Sequence, residues 1–270
     1  MNSLKRQRAV ETGIDLVSSF SAKAFEELIA SYFGDSSRPI TSPAGLILRN
    51  SIKFTLQDVS RRVWSPNEVN KIKTVIDSAL LEINSRLDGG LQPRDDGFFT
   101  DEQSGRAQAD EILEGVLLKA RDQHEEKKLI YLGYFFANLA FRSDVPGSLA
   151  NYFIKTANAL SYRQFVLLRH IADSMNEAFN AEPIRGRSHS LPDLTALAKE
   201  EMELHSAASF GGYGLLNGVT SYTDVVSELG QTFIELFNLK LIPNEDIREL
   251  RQLIILCEDS PPIGETEVPY

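Results

Sequence analysis

The segment from Leu129 to Phe141 constrains the fold more than any other part of the chain, because it is apolar at almost every position. A helix that is apolar on all sides has to lie inside other helices. Its 13 residues fall well short of the roughly 20 that a membrane-spanning helix needs. We therefore expect a central core helix and no membrane span. Gly133 costs this helix about 1 kcal/mol relative to alanine, which predicts that another backbone approaches closely there.

The residues from Asp110 to Lys128 lead into this core helix with an amphipathic helical pattern. The apolar face consists of Leu113, Val116, Leu117 and Ala120. Continued along the helix, this face passes through His124, so we expect that side chain on or near the buried side, with a hydrogen-bonding role. Glu111 and Glu114 are spaced as carboxylate ligands could be, but the chain lacks the Glu-x-x-His pairs of a di-iron bundle.

Two helices are predicted near the start of the chain. The first runs from about Leu4 to Phe33 and is amphipathic, with Gly34 as its stop signal. The second begins at Pro43, because proline lacks a donor that the first helical position does not need. Its apolar face consists of Leu48, Ile52, Leu56, Val59 and Val63. A face of this kind must pack against a partner.

A third helix has clear signals at both ends. Ser65 and Glu68 form a capping box around Pro66, and apolar residues then recur every three or four positions. Gly89 and Gly90 stand where a left-handed residue closes a helix. Such a long, regular helix is typical of a bundle.

The aperiodic stretch that follows carries charges and aromatic rings. They are Arg94, Asp95, Asp96, Phe98 and Phe99. Because the spacing of a calcium loop and its distal glutamate are missing, we predict an ion pair in the structure rather than a metal site. Beyond the core helix, Asp144 and Pro146 start a helix to Leu160, and Ser161 with Gln164 forms a second capping box.

The remaining elements alternate helix, loop and short strand. They are a polar loop from Asn180 to Pro192, a helix from Asp193 to about His205, a glycine-rich segment, a possible strand within Asp224 to Leu229, and helices from about Gly230 to Leu239 and Asn244 to Cys257. The glycines do not form the phosphate-binding motif G-x-G-x-x-G, because Asn217 stands at its third glycine. The order resembles a winged helix, with a possible pair of short strands around Leu215 and Val225 as the wing.

The predicted fold class is mainly α, a multi-helix bundle with a winged-helix-like C-terminal region that contains at most a small β-hairpin. We expect a helical bundle domain over residues 1–159, a winged-helix-like domain over 160–257 and a disordered tail over 258–270.

The segments LSYRQFVLLRHIA, YGLLNG and ELGQTFIELF resemble bacterial Abi-alpha-type abortive-infection proteins and related uncharacterised helical proteins, and so does EEKKLIYLGYFFANLAF ahead of them. The likeness covers about half of the chain, and its glycine-rich region is longer than expected for that family. The resemblance implies a bacterial or prophage-encoded cytoplasmic protein with a role in phage defence, but it brings no catalytic motif.

Charge argues against a DNA-binding role for the winged-helix-like region. Between Leu160 and Lys240 the chain has six basic against ten acidic residues, within a whole-chain net charge of -10. The expected recognition helix also carries Glu200, Glu201 and Glu203, which would repel phosphate. A DNA-binding regulator is thus only an alternative.

An enzyme is the second alternative. His124, His170, His189 and His205 show no motif spacing with a nucleophile, and Cys257 is the only cysteine. We assign no catalytic, cofactor-binding or metal-binding residue and expect no cofactor. The leading interpretation is a non-enzymatic, cytoplasmic protein that binds a protein partner or itself, with Ile14 and Val17 on a candidate assembly face. A small-molecule ligand remains open.

Overall fold

The computed structural model describes residues 23–33, 43–62, 64–100, 106–180, 216–217 and 225–250. These residues are mainly helical, which confirms the predicted class. The chain divides into two compact units between Asn158 and Ala159. Over the residues described, no helix combines the length and the apolar character that crossing a membrane requires.

The first unit contains six described helices. They are α1 (23–33), α2 (Pro43–Val59), α3 (Pro66–Asp88), α4 (Gln108–Asp122), α5 (Leu129–Leu139) and α6 (Gly147–Ala159), with a one-turn 3-10 helix at Glu126–Lys128 before α5. The part of the predicted first helix from residue 4 to 22, including Ile14 and Val17, lies outside the described residues.

The predicted ends of α3 are confirmed. The Ser65 hydroxyl accepts a hydrogen bond from the Glu68 backbone N–H at 3.3 Å, and the Glu68 carboxylate accepts one from the Ser65 N–H at 2.5 Å. At the other end the left-handed residue is Gly90, with φ of 81°, whereas Gly89 keeps φ at -73°. Local signals alone therefore set the length of this helix.

The core of the first unit lies between α3, α4 and α5, and α5 is buried on nearly all sides as predicted. At Gly133 the backbones of α3 and α5 come so close that an added Cβ would lie 3.0 Å from the Ala79 nitrogen and nearer still to Val75 and Ser78. The predicted close approach is thus confirmed. α4 contacts both helices and completes this core.

The helical pattern from Asp110 onward does not continue without a break into α5. α4 ends at Asp122, and Gln123 adopts an extended conformation with ψ of 125°. The buried Gln123 side chain accepts a hydrogen bond from the Glu125 N–H at 3.0 Å. Because the chain has already left the helix, His124 points away from the core and is exposed. The prediction of a buried His124 is wrong.

The second unit is described over four helical elements and two short strands. They are α7 (Tyr162–Asn180), β1 (Leu216–Asn217), β2 (Val225–Val226), α8 (Glu228–Leu236), a 3-10 helix (Leu239–Leu241) and α9 (244–250). The second capping box is confirmed, because the Ser161 N–H donates to Gln164 Oε1 at 2.6 Å. Phe233 and Phe237 stack in the core of this unit with ring centroids 4.2 Å apart, and Phe165 contacts both rings edge-on.

The two strands pair antiparallel, with Leu216 opposite Val226 and Asn217 opposite Val225. This is a minimal hairpin and does not show a winged helix. The predicted loop beyond residue 180, the helix from 193 to 205 with its three glutamates, and Gly211 to Gly214 lie outside the described residues. So do the chain beyond residue 250, with Cys257, and the predicted tail.

Candidate interaction surface

Helix α2 carries large apolar side chains on two faces, of which only one is buried. The buried face contacts α4 and consists of Leu48, Ser51, Ile52, Thr55, Leu56 and Val59. On the other face Leu46, Ile47 and Phe54 are 43%, 45% and 57% exposed. Single exposed hydrophobic residues are normal on a protein surface, whereas a cluster on one face marks a binding site. At 3.6 residues per turn these three lie within an arc of about 100°.

A groove between α1 and α2 borders this apolar face. Its volume is about 520 Å³, and its lining consists of Glu26, Ile29, Ala30 and Phe33 from α1 and Lys53, Gln57 and Ser60 from α2. α1 thus supplies a mainly apolar side and α2 a polar one. We call this groove together with Leu46, Ile47 and Phe54 the α1–α2 surface. Its geometry fits an amphipathic helix that lays one apolar face along the groove.

Aromatic contacts hold α1 in place beside α2. Phe25 packs against Trp64, with ring centroids 5.7 Å apart, and the Trp64 indole donates to the Val59 carbonyl at 2.8 Å. At the other end of α1 the Arg49 guanidinium lies 5.5 Å from the centre of the Phe33 ring. The two walls of the groove are therefore tied together at both ends.

A hydrogen bond also links α1 to α3. The Tyr32 hydroxyl donates to the Asp77 carboxylate. Burial, and then this hydrogen bond, raise the pKa of Tyr32 well above its usual value. The phenol therefore stays protonated and keeps its role as donor at any physiological pH.

A buried polar contact helps to hold the inner face of α2 against α4. Asp110, in the first turn of α4, accepts hydrogen bonds from Ser51 at 2.5 Å and from Thr55 at 3.3 Å. Rotating α2 would leave this buried carboxylate without those two donors, at a cost of several kcal/mol. Leu46 and Phe54 are accordingly held on the outside.

The residues of the predicted ion-pair loop make a structural contact, as expected. Arg94, whose side chain is 3% exposed, pairs with Asp96 through a 2.8 Å hydrogen bond from Nε, and it donates to the Val145 carbonyl at 3.0 Å. Its guanidinium lies 4.3 Å from the centre of the buried Phe98 ring. The hydrogen bond from Arg94 holds the pKa of Asp96 below its usual value. Asp95 is exposed.

The carboxylates of α4 also take structural roles or face solvent. Glu114 pairs with both Arg62 and Arg106, and Glu111 is exposed. Burial acts to raise the pKa of Glu114, but the two arginines outweigh it and the pKa lies below its usual value. Among the described residues, no three or more His, Cys, Asp or Glu side chains form a group that could hold a metal ion.

The structure does not bring the predicted histidines into a common site. His124 is exposed in the first unit, His170 is half-buried on α7, and neither lines the α1–α2 groove. His189, His205 and Cys257 lie outside the described residues.

A second groove, of about 370 Å³, lies within the second unit. It is lined by Ala172, Val226, Ser227, Glu228, Gln231, Thr232 and Glu235, and so offers only weak nucleophiles.

Lys128 is a feature that sequence reasoning missed. Its side chain is 1% exposed, with Glu125 Oε2 at 3.8 Å from the ammonium nitrogen. Burial lowers the pKa of Lys128 to about 8, and Glu125 opposes this shift. In the sequence, Lys127 and Lys128 follow two glutamates and have the composition of a solvated turn. Lys128 lines neither groove, so its amine is not part of either one.

The apolar residues of the α1–α2 surface were likewise missed, although a signal for them exists. Leu46, Ile47 and Phe54 lie off the apolar face that periodicity picks out on α2, so a helical projection shows a second apolar face.

No family model matches this chain, and no curated protein or solved structure matches it either.

Proposed function

We propose that the protein is a non-enzymatic helical interaction protein and that its α1–α2 surface binds a protein partner. The observation that carries this proposal is the exposure of Leu46, Ile47 and Phe54 together on one face of a helix whose other face is fully packed. Burying these side chains in a complex would remove apolar surface from water, which is the main driving force of association. The adjoining groove adds a concave surface with one charged residue on each side, Glu26 and Lys53.

Other functional classes have less support. The linings of the two grooves contain no histidine or cysteine, and the hydroxyls of Ser60 and Thr232 donate to the backbone carbonyls of Gln57 and Glu228 rather than to a side-chain base. A DNA-binding winged helix is the alternative, and the acidic residues of the predicted recognition helix argue against it. The resemblance to abortive-infection proteins supplies a context for protein contacts, namely phage defence in a bacterial cell, and we propose that context on the resemblance alone.

A matched pair of leucine substitutions tests the proposed surface. Leu46→Glu places a charge on it, whereas Leu81→Glu makes the same change on α3, at a leucine that is 67% exposed. Tagged full-length protein should recover its partner, which is another chain or a second copy of itself, in the wild-type and Leu81→Glu forms. Leu46→Glu should weaken recovery at least about tenfold, equivalent to 1.4 kcal/mol. Equal recovery by all three forms would contradict the proposal.

A further inference from the structure

We infer that the partner of the α1–α2 surface is a second copy of this chain, with the two α2 helices packed antiparallel about a twofold axis at Asn50. This inference rests on the proposed function, because it names the occupant of the same surface. It follows from the symmetry of α2 about Asn50, from the chemistry of Asn50 itself and from the size of the surface.

The exposed face of α2 is self-complementary about Asn50. Leu46 precedes Asn50 by four residues and Phe54 follows it by four, while Ile47 and Lys53 lie three residues to either side. In a twofold antiparallel pair, residue i of one copy faces the residue at the mirrored position in the other. Leu46 therefore meets Phe54 of the second copy. Ile47 meets Lys53, whose aliphatic stem covers apolar surface while its ammonium group reaches solvent.

The residue on the axis suits a twofold contact. Identical residues meet there, so a charged side chain would repel its own copy. Asn50 is exposed and neutral, and its amide carries both a donor and an acceptor, so that two copies can bond to each other. A single asparagine in an apolar helix contact is also a known way to fix register. The two copies of Lys53 would lie about 9 Å apart along the helix, since each residue rises 1.5 Å.

The surface is large enough for a weak dimer. α2 has 17 residues and is therefore about 25 Å long, and two adjacent helices are about 20 Å wide. The face measures roughly 500 Å² per copy, against about 800 Å² per partner in a standard stable interface. An interface of this size is typical of reversible association. We therefore expect a dissociation constant in the micromolar range rather than a permanent dimer.

Cysteine crosslinking reports directly on the twofold axis. The experiment uses the full chain with Cys257→Ser, so that an introduced cysteine is the only thiol. When the axes of two helices lie 8–10 Å apart, residues on the twofold axis come within the 4.4–6.8 Å Cα separation of a disulfide. Asn50→Cys should thus give a disulfide-linked dimer under mild oxidation. Leu81→Cys is the control for random collision, and it should stay monomeric.

Light scattering over a concentration series completes the test. The mass of the wild type should rise toward twice that of one chain, and Leu46→Glu should stay at the mass of one chain. The inference is overturned if the wild type is monomeric at about 200 µM, which is well above the micromolar range expected for so small a face. It is also overturned if Asn50→Cys crosslinks no better than Leu81→Cys, or if Leu46→Glu still dimerises.

These outcomes separate the inference from the proposed function. If the wild type is monomeric but captures another protein in a Leu46-dependent manner, self-pairing is wrong and the proposed surface stands. If neither self-association nor the capture of another protein depends on Leu46, both the inference and the proposed function are wrong. A dimer that survives Leu46→Glu and is lost with Ile14→Glu or Val17→Glu would move the contact to the predicted first helix and overturn the inference. Unfolding curves followed by the fluorescence of the buried Trp64 show whether each variant is folded.

Discussion

Replacing Gly133 by alanine should destabilise the first unit, even though alanine is the better helix former. Gly133 lies in the middle of α5, where it faces α3. An added Cβ would stand 3.0 Å from the Ala79 nitrogen, and the Val75 carbonyl oxygen and the Ser78 hydroxyl would lie closer still. Because two of these three atoms belong to the backbone, a side-chain rotation cannot relieve the contact. α5 has to move away from α3, which loosens the core along both helices.

The magnitude follows from two opposing effects. Alanine gains about 1 kcal/mol of helix propensity over glycine, whereas overpacking a tight core costs about 1–3 kcal/mol and occasionally more. With a backbone carbonyl in the way, the cost belongs at the upper end of that range. We expect a net loss of about 2 kcal/mol in the free energy of unfolding. Adding Ser78→Ala removes only the hydroxyl, so it should restore less than half of this loss.

Urea unfolding followed by tryptophan fluorescence measures this loss in the relevant unit, because the only tryptophan of the chain, Trp64, is buried there. Gly115→Ala is the matched control. It also lies within a helix, but its Cβ would have an ordinary 3.8 Å contact with Ile154 Cδ1, so alanine should stabilise the protein by up to about 1 kcal/mol. If Gly133→Ala proved as stable as the wild type, the close approach of α3 and α5 would be refuted.

Substitutions at Lys128, Arg94 and Asp96 test two buried cations by the same unfolding assay. Burial lowers the pKa of Lys128 from 10.5 to about 8, so below pH 8 the native state bears a buried charge. Lys128→Met removes this charge and should raise the free energy of unfolding at pH 7 by up to roughly 3 kcal/mol. As the pH rises from 8 toward 10.5, Lys128 loses its proton in the native wild type but keeps it in the unfolded chain, so the stability of the wild type should rise. The advantage of Lys128→Met should shrink accordingly. An advantage that does not change with pH would contradict the lowered pKa of Lys128. Arg94→Ala should cost about 3 kcal/mol, because it leaves the buried Val145 carbonyl without its donor and removes the packing of the guanidinium against Phe98. Asp96→Asn should cost less, since the Val145 carbonyl and Phe98 remain, and an equal loss would show that the ion pair dominates.

The parts of the fold that were predicted well depend on local chemistry. The start of α3 is set by Ser65 and Glu68, which are three residues apart, and its end by Gly90. α5 was recognisable as a core helix because it is apolar on every side, and Gly133 marked its closest neighbour. In each case the residues that determine the structure lie within a few positions of one another, so the pattern is complete in the sequence.

The error at His124 arose where no local signal exists. The apolar face of α4 continues through this position, and neither glycine nor proline marks the end of the helix at Asp122. After Asp122 the chain turns to enter the core as α5, and the buried Gln123 side chain helps to hold that turn through its bond to the Glu125 N–H. The burial of Lys128 has the same origin, since it follows from packing around this turn and not from the composition of the segment.

The α1–α2 surface shows why a candidate site was harder to predict than the fold. α2 has two apolar faces, and the periodicity of its sequence picks out only the one that α4 covers. Asp110, more than fifty residues away along the chain, bonds to Ser51 and Thr55 and reinforces the packing of that face against α4. The side chains on the opposite face then remain exposed as a consequence. A buried polar contact between distant segments thereby helps to fix which apolar side chains of α2 are available to a partner.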